Sequence, residues 1–203
     1  MKERPILFNA EMVKAILYGR KTQTRRVVKP MFGPRIDIED IGEGKWQISG
    51  DAPTNYGGEV QMNDWSTVIN SPFGTIGDRL WVRETFGCLG RYPKDGPPPV
   101  GEEASTVYHA TDKVVPHIIR WRPSIHMPRW ASRITLEITG VRVERLQEIS
   151  DFDAFQEGAP SAAGTITGPY CMSFKQGFHN LWQSIYGNWD ANPWVWVYEF
   201  RKV

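Results

Sequence analysis

The sequence predicts an α+β domain dominated by antiparallel strands: a small β-barrel with a few flanking helices and inserted loops. Three observations carry this. Segments with two-residue alternation outnumber segments of helical period. The strands are not separated by helices in the β-α-β order that a doubly wound parallel sheet requires. With 203 residues, 40% hydrophobic and 23% charged, the chain has apolar material for one sizeable core, and global disorder is excluded. A single domain spanning 1–203 is expected, with insertions at about 31–75 and 88–118.

The elements follow in order. Asn9 suits an N-cap, and Met12, Val13, Ile16 and Leu17 recur at helical spacing, so a helix is expected over roughly 10–19, with Gly19 as its stop. The polar stretch Arg20-Lys21-Thr22-Gln23-Thr24-Arg25-Arg26 reads as a loop, and Val27-Val28 as the start of a strand. Residues 31–75, rich in Gly, Pro, Asn and Asp, read as an insertion carrying a hairpin, with strand-like pieces near 35–38 and 45–48. Gly77-Asp78 is a turn before the alternating strand Arg79–Glu84. Residues 88–105 read as loop, with Pro97-Pro98-Pro99 as breaker, and Thr106–Ala110 as a short strand.

An irregular segment, Trp121–Ser132, leads into the longest strand candidate, Arg133–Leu146. There Ile134, Leu136 and Ile138 share one face, and Gly140 marks a bulge. Ser150-Asp151-Phe152-Asp153 is a capping-box variant that opens a short helix ending at Gly158. Phe174, Phe178, Leu181, Trp182 and Ile185 form the apolar stripe of a longer helix that stops at Gly187, and Trp194–Arg201 is a closing strand.

Net charge is only +1, so the protein as a whole is no polybasic binder, but the charge is unevenly distributed. Residues 1–30 and 117–145 are basic; 35–64 is acidic. A basic face of this kind either tracks a phosphate backbone or is solvated surface. The two cysteines, Cys88 and Cys171, have no CxxC partner, and neither they nor His109, His117 and His179 stand at metal-ligand spacing. A reducing cytoplasmic setting is expected, with no metal and no cofactor. No apolar run is long enough to span a membrane.

The stretch at 20–26 places an amine, two hydroxyls and several guanidiniums together. A helix dipole accounts for Lys and Arg there but not for the interleaved threonines. Gly19-Arg20-Lys21-Thr22-x-Thr24-x-Arg26 resembles the signature loop of the ASCH family, within the PUA-like barrel group. Gly77–Glu84 resembles that family's Gly-Asp strand, Ile134–Thr139 its long central strand, Gln156-Glu157-Gly158 the Glu-bearing end of its short helix, and Val195–Phe200 its final strand. The whole chain is similar to the larger ASCH proteins of phages and prophages.

The smallest bacterial ASCH proteins include amidohydrolases that remove the acetyl group from N4-acetylcytidine. The resemblance implies that Lys21, Thr24 and Glu157 are the catalytic residues. Amide hydrolysis needs a nucleophile, a base, a proton donor and an oxyanion holder. A threonine hydroxyl attacks only when a base takes its proton. Lys21 can be that base if its amine, ordinarily near 10.4, titrates near neutrality, a difference of roughly 4 kcal/mol. Burial and the cations Arg20, Arg25 and Arg26 push it down, and the preceding helix end pushes it up. Glu157 orients Lys21, donates a proton to the leaving amine, or is merely a surface Glu at a helix end. Arg26 or a backbone N–H holds the oxyanion, and Thr22 belongs to the binding loop.

A second cluster supplies candidate substrate or RNA contacts: Arg122, Ser124, His126, Arg129, Trp130 and Arg133. Guanidiniums hold phosphates while exposed Trp faces stack bases, although most of the nine tryptophans are expected in the core. His126 is either a proton-transfer group or a hydrogen-bonded structural residue. Arg83 and Glu84 are expected as a buried pair beneath the cleft. The partner is therefore a nucleoside or single-stranded RNA. Competing functions are an RNA-binding protein or metal-independent endoribonuclease, and a phage assembly factor.

Overall fold

A computed structural model describes residues 1–29, 36–42, 44–56, 59–88, 106–113, 120–160 and 173–203, with backbone alone over 51–63. His117, Cys171 and Pro97-Pro98-Pro99 lie outside the described residues.

The chain runs β1 (Glu3–Leu7), α1 (Ala10–Leu17), β2 (Gln23–Val27), β3 (Ile36–Gly42), β4 (Lys45–Tyr56), β5 (Glu59–Asn70), β6 (Arg79–Arg83), β7 (Phe86–Cys88), β8 (Thr106–Tyr108), β9 (Thr135–Arg145), α2 (Asp151–Gln156), α3 (Phe174–Tyr186) and β10 (Trp194–Lys202). The architecture is α+β and mostly strand, with three sheets: β1-β6-β9-β10-β2, β3-β4-β5 and β7-β8.

The expected barrel does not close. Among the described residues, β1 and β2 are the unpaired edges of the five-stranded sheet. The chain runs from β1 to β2 through helix α1, which buries Val13 and Ile16 in the main core, and Arg26 of β2 donates across to Leu7 O of β1 at 2.9 Å. One pairing is parallel, β1 against β6; the other ladders of the main sheet are antiparallel. Strand β1 was not legible as a strand, because Pro5 interrupts a five-residue segment at the sheet edge.

Several local expectations hold. Asn9 caps α1 by accepting from Met12 N at 2.9 Å. Gly77 adopts φ +86°, and Asp78 accepts from Lys2 N at 2.7 Å, tying the start of β6 to β1. The β9–β10 register shifts between Glu199 and Phe200, so that Gly140 faces Glu199 and Ile138 faces Phe200, which is the expected bulge. The 31–75 insertion is more than a hairpin. It forms a three-stranded antiparallel sheet whose Trp46 and Ile48 enter the main core, with Trp46 edge-on to Trp196 at 4.6 Å.

The faces of β10 divide the interior. Trp196, Tyr198 and Phe200 join the main core, whereas Val195 and Val197 join a second core with Ala154, Phe178 and Trp182 from α2 and α3. Ile185, at the end of the α3 stripe, stays exposed. Among the described residues no helix is long and apolar enough to cross a membrane.

Candidate functional site

The site is built where α1, β2 and α2 converge. Helix α1 ends at Leu17 with Tyr18 as its C-cap, and Gly19 follows at φ +72°. The Arg20 and Lys21 N–H groups then both donate to Ala15 O, at 2.9 and 3.0 Å, which folds the chain back and carries Lys21 inward. The expected loop is shorter than its sequence suggests. From Gln23 onward the chain is β2, paired antiparallel with β10, because that ladder satisfies its backbone groups. Strand alternation puts Thr24 and Arg26 on one face and Gln23 and Arg25 on the other.

Helix α2 brings the carboxylate from the opposite side. Ser150 caps it, accepting from Asp153 N at 3.0 Å. Glu157 is its C-cap and Gly158 turns away at φ +74°. Gly158 is also required by contact: a Cβ there would sit 2.8 Å from Ala15 Cβ and 3.1 Å from Lys21 Cβ.

Lys21 Nζ donates to Glu157 Oε2 at 2.7 Å, to Glu157 O at 2.7 Å and to Gln23 O at 3.0 Å. Three acceptors match the three protons of an ammonium. Burial nonetheless pulls the amine below its ordinary value; the Glu157 carboxylate raises it, and Arg26 and Arg25 lower it further. Glu157 is no surface residue: it is 3% exposed, beside Lys21 at 2% and Thr24 at 1%.

Glu157 is shared. Its Oε1 accepts from Arg25 Nη1 at 3.2 Å, while Oε2 serves Lys21. Arg25, fully enclosed, also donates to Glu144 Oε1 from Nε (2.9 Å) and Nη2 (2.5 Å), and to Gln23 Oε1 at 3.1 Å. Gln23 Nε2 in turn donates to Asp153 Oδ1 and Gln156 Oε1. Arg142 closes the network by pairing with Glu144 and Glu199. At Asp153, burial works to raise the carboxyl, but bonds from Gln23 and Ser150 and the charges of Arg25 and Arg142 outweigh it and hold the group below its usual range.

Gln23, Glu144, Asp153 and Arg142 were missed as functional candidates. Gln23 was visible inside the loop motif, and Arg142 and Glu144 stand two apart on one strand, but only the fold brings them to Arg25. Around the rim, Arg20 donates to Ala159 O at 3.1 Å, and Arg26 donates to Arg25 O and Leu7 O. Lys21 and Arg26 both lie over the Phe8 ring, at 5.4 and 5.3 Å. Thr22 Oγ1 is buried with no hydrogen-bond partner among the described residues.

The second cluster assembles elsewhere, around buried Phe86, Met127 and Ala131, with Trp130 packed on them. The expected Arg83–Glu84 pair does not form, because consecutive residues at a strand end point to opposite faces. Glu84 is buried and pairs with Arg133, Oε1 to Nε at 2.9 Å and Oε2 to Nη2 at 3.0 Å. Arg133 also lies 3.8 Å from the Tyr108 ring centroid. Arg83 instead stacks on Trp81 at 4.6 Å and donates to Ile125 O. Arg129 pairs with Glu3 at 3.0 Å. The Arg122 backbone bridges to Phe86, Ser124 accepts from Met127 N, and the His126 side chain is exposed.

No family model, curated protein or solved structure matches this chain.

Proposed function

We propose that this chain is an ASCH-type hydrolase that cleaves an amide on a modified nucleoside or RNA, with N4-acetylcytidine as the substrate type and Lys21, Thr24 and Glu157 as the reacting groups. One observation carries the reading: Lys21 Nζ and Glu157 Oε2 lie 2.7 Å apart in the interior. The motif resemblance implied these residues separately, from segments 136 positions apart.

The pair has the chemistry that amide hydrolysis needs. Moving one proton from Lys21 to Glu157 converts ammonium and carboxylate into amine and carboxylic acid, a base and an acid side by side. The desolvation that lowers the Lys21 amine favours this conversion. Thr24, on the other face of β2 from Arg25, is the nucleophile by motif: the reading requires substrate binding to bring its Oγ to the acetyl carbon and to Lys21, which takes its proton. The C–N bond breaks, the cytosine amine leaves with the proton from Glu157, and the ion pair is restored. Water cleaves the acetyl ester on Thr24 to acetate. Because all three residues are closed to solvent, the reading requires the side chains over them to part when substrate binds.

The competing reading, single-stranded RNA binding or metal-independent RNA cleavage, draws on the 122–133 segment. There Arg129 and Arg133 are already paired with Glu3 and Glu84, which weakens that segment as a phosphate-tracking surface.

The test is release of cytidine and acetate from N4-acetylcytidine by the wild type and by Thr24→Val. Equimolar release by the wild type and background release by the variant are expected. A folded wild type that releases neither product sinks the reading.

A further inference from the structure

Beside the reacting strand lies a cleft of about 600 Å³, inside the roughly 300–1,000 Å³ range of small-molecule sites. Its walls include Val28, Phe73, Tyr186 and Trp196, and its charged lining is Arg26 and Lys29. Among the described residues no carboxylate lines it. Arg26 spends two N–H groups on the carbonyls of Arg25 and Leu7 and has no carboxylate partner among the described residues. Lys29 is exposed. An apolar, aromatic-walled cleft bearing two cations and no counter-charge complements a planar aromatic group that carries an anion.

The ladder ties this cleft to Thr24. Directly opposed residues of an antiparallel pair share a face; Arg26 faces Trp196, and Thr24 faces Tyr198. Thr24, Arg26, Trp196 and Tyr198 therefore lie on one face of β2–β10, with Thr24 two residues, roughly 7 Å, from Arg26. The Phe73 ring meets Tyr198 edge-on at 5.4 Å, which continues the cleft wall toward the Thr24 position.

We infer that this cleft holds a nucleobase bearing a phosphomonoester, with the phosphate on Arg26 and Lys29, so that the preferred substrate is a phosphorylated nucleoside rather than the free one. The inference rests on the hydrolase reading for the identity of the base, and on the cleft itself for the phosphate.

The experiment is calorimetric titration of the full chain with cytidine 5′-monophosphate and with cytidine, for the wild type, Lys29→Ala and Arg26→Gln. The nucleotide binds the wild type at least about ten-fold tighter, as expected for charge-assisted hydrogen bonds to phosphate. That preference falls toward unity in Lys29→Ala and on raising the salt, since an exposed ammonium is screened. A short 5′-phosphorylated RNA, titrated in parallel, distinguishes a free nucleotide from a strand end as the source of the same group. Equal binding of nucleotide and nucleoside, no binding of either, or a preference untouched by both substitutions overturns the inference. Deacetylation of free N4-acetylcytidine is measured alongside. Turnover without a phosphate preference removes this inference and leaves the hydrolase; a phosphate preference without turnover does the reverse.

Discussion

Lys21 and Glu157, 136 positions apart in sequence, meet at 2.7 Å where both are shielded from water. Taking one partner away strands the other. Glu157→Gln is expected to cost about 3–5 kcal/mol, the range for breaking a buried pair, read from the shift in urea midpoint at constant slope. The pH dependence has a definite sign. Burial already holds Lys21 below its unfolded value, and losing the carboxylate that raises it lowers it further. The unfolded chain then binds the extra proton over a wider window up to the ordinary lysine range, so the variant's stability climbs with pH more steeply than the wild type's. Parallel profiles would contradict the assignment.

Arg25 makes a forked set of bonds that lysine cannot reproduce, to Glu144, Gln23 and Glu157. Arg25→Lys is expected to destabilise by about 1–3 kcal/mol, because at least one buried acceptor loses its donor. A thermal melt within experimental error of the wild type would show the fork to be dispensable.

Gly158→Ala combines a left-handed backbone with a clash against Ala15 and Lys21. The backbone alone costs about 1–2 kcal/mol, and the displaced Lys21 adds to it. Denaturant unfolding checks this; a neutral substitution would mean that the turn relaxes freely.

Tyr198 is hydrogen-bonded to Ser71 at 2.7 Å, and burial pushes its hydroxyl up to about 12. A phenol raised in the folded state contributes stability that is complete below about pH 10 and is lost as pH climbs toward 12. The wild type is therefore expected to lose about 1.4 kcal/mol more than Tyr198→Phe between about pH 8 and 11, measured by urea unfolding at each pH. Equal losses would place that titration elsewhere.

How far the sequence was legible depends on how local the signal was. Asn9, Ser150, Gly77 and Gly158 mark caps and turns whose chemistry lies within a few residues, and each acts as expected. The central strand was readable from alternation, and its bulge from the glycine that interrupts the pattern at 140. Lys21, Thr24 and Glu157 could be named from motifs, but their burial and the Lys21–Glu157 contact could not, since α1, β2 and α2 meet only through tertiary packing. Gln23, Asp153 and Glu144 escaped for the same reason: each is an ordinary polar residue until the fold aims it at Arg25. The Glu84 partner was misassigned by proximity in sequence, where strand geometry favours Arg133 across the sheet over its neighbour Arg83. Whether the sheet closes on itself depends on which strands pair across long sequence separations, and among the described residues no ladder joins β1 to β2.

The role of Lys21 is decided by the initial rate of cytidine release from N4-acetylcytidine by the wild type and by Lys21→Met, with circular dichroism confirming that both are folded. Release by the wild type and a loss of about 10²–10⁴-fold in the variant are expected, the contribution of a positioned acid–base group. Equal rates in the two proteins, or no release by a folded wild type, would contradict it.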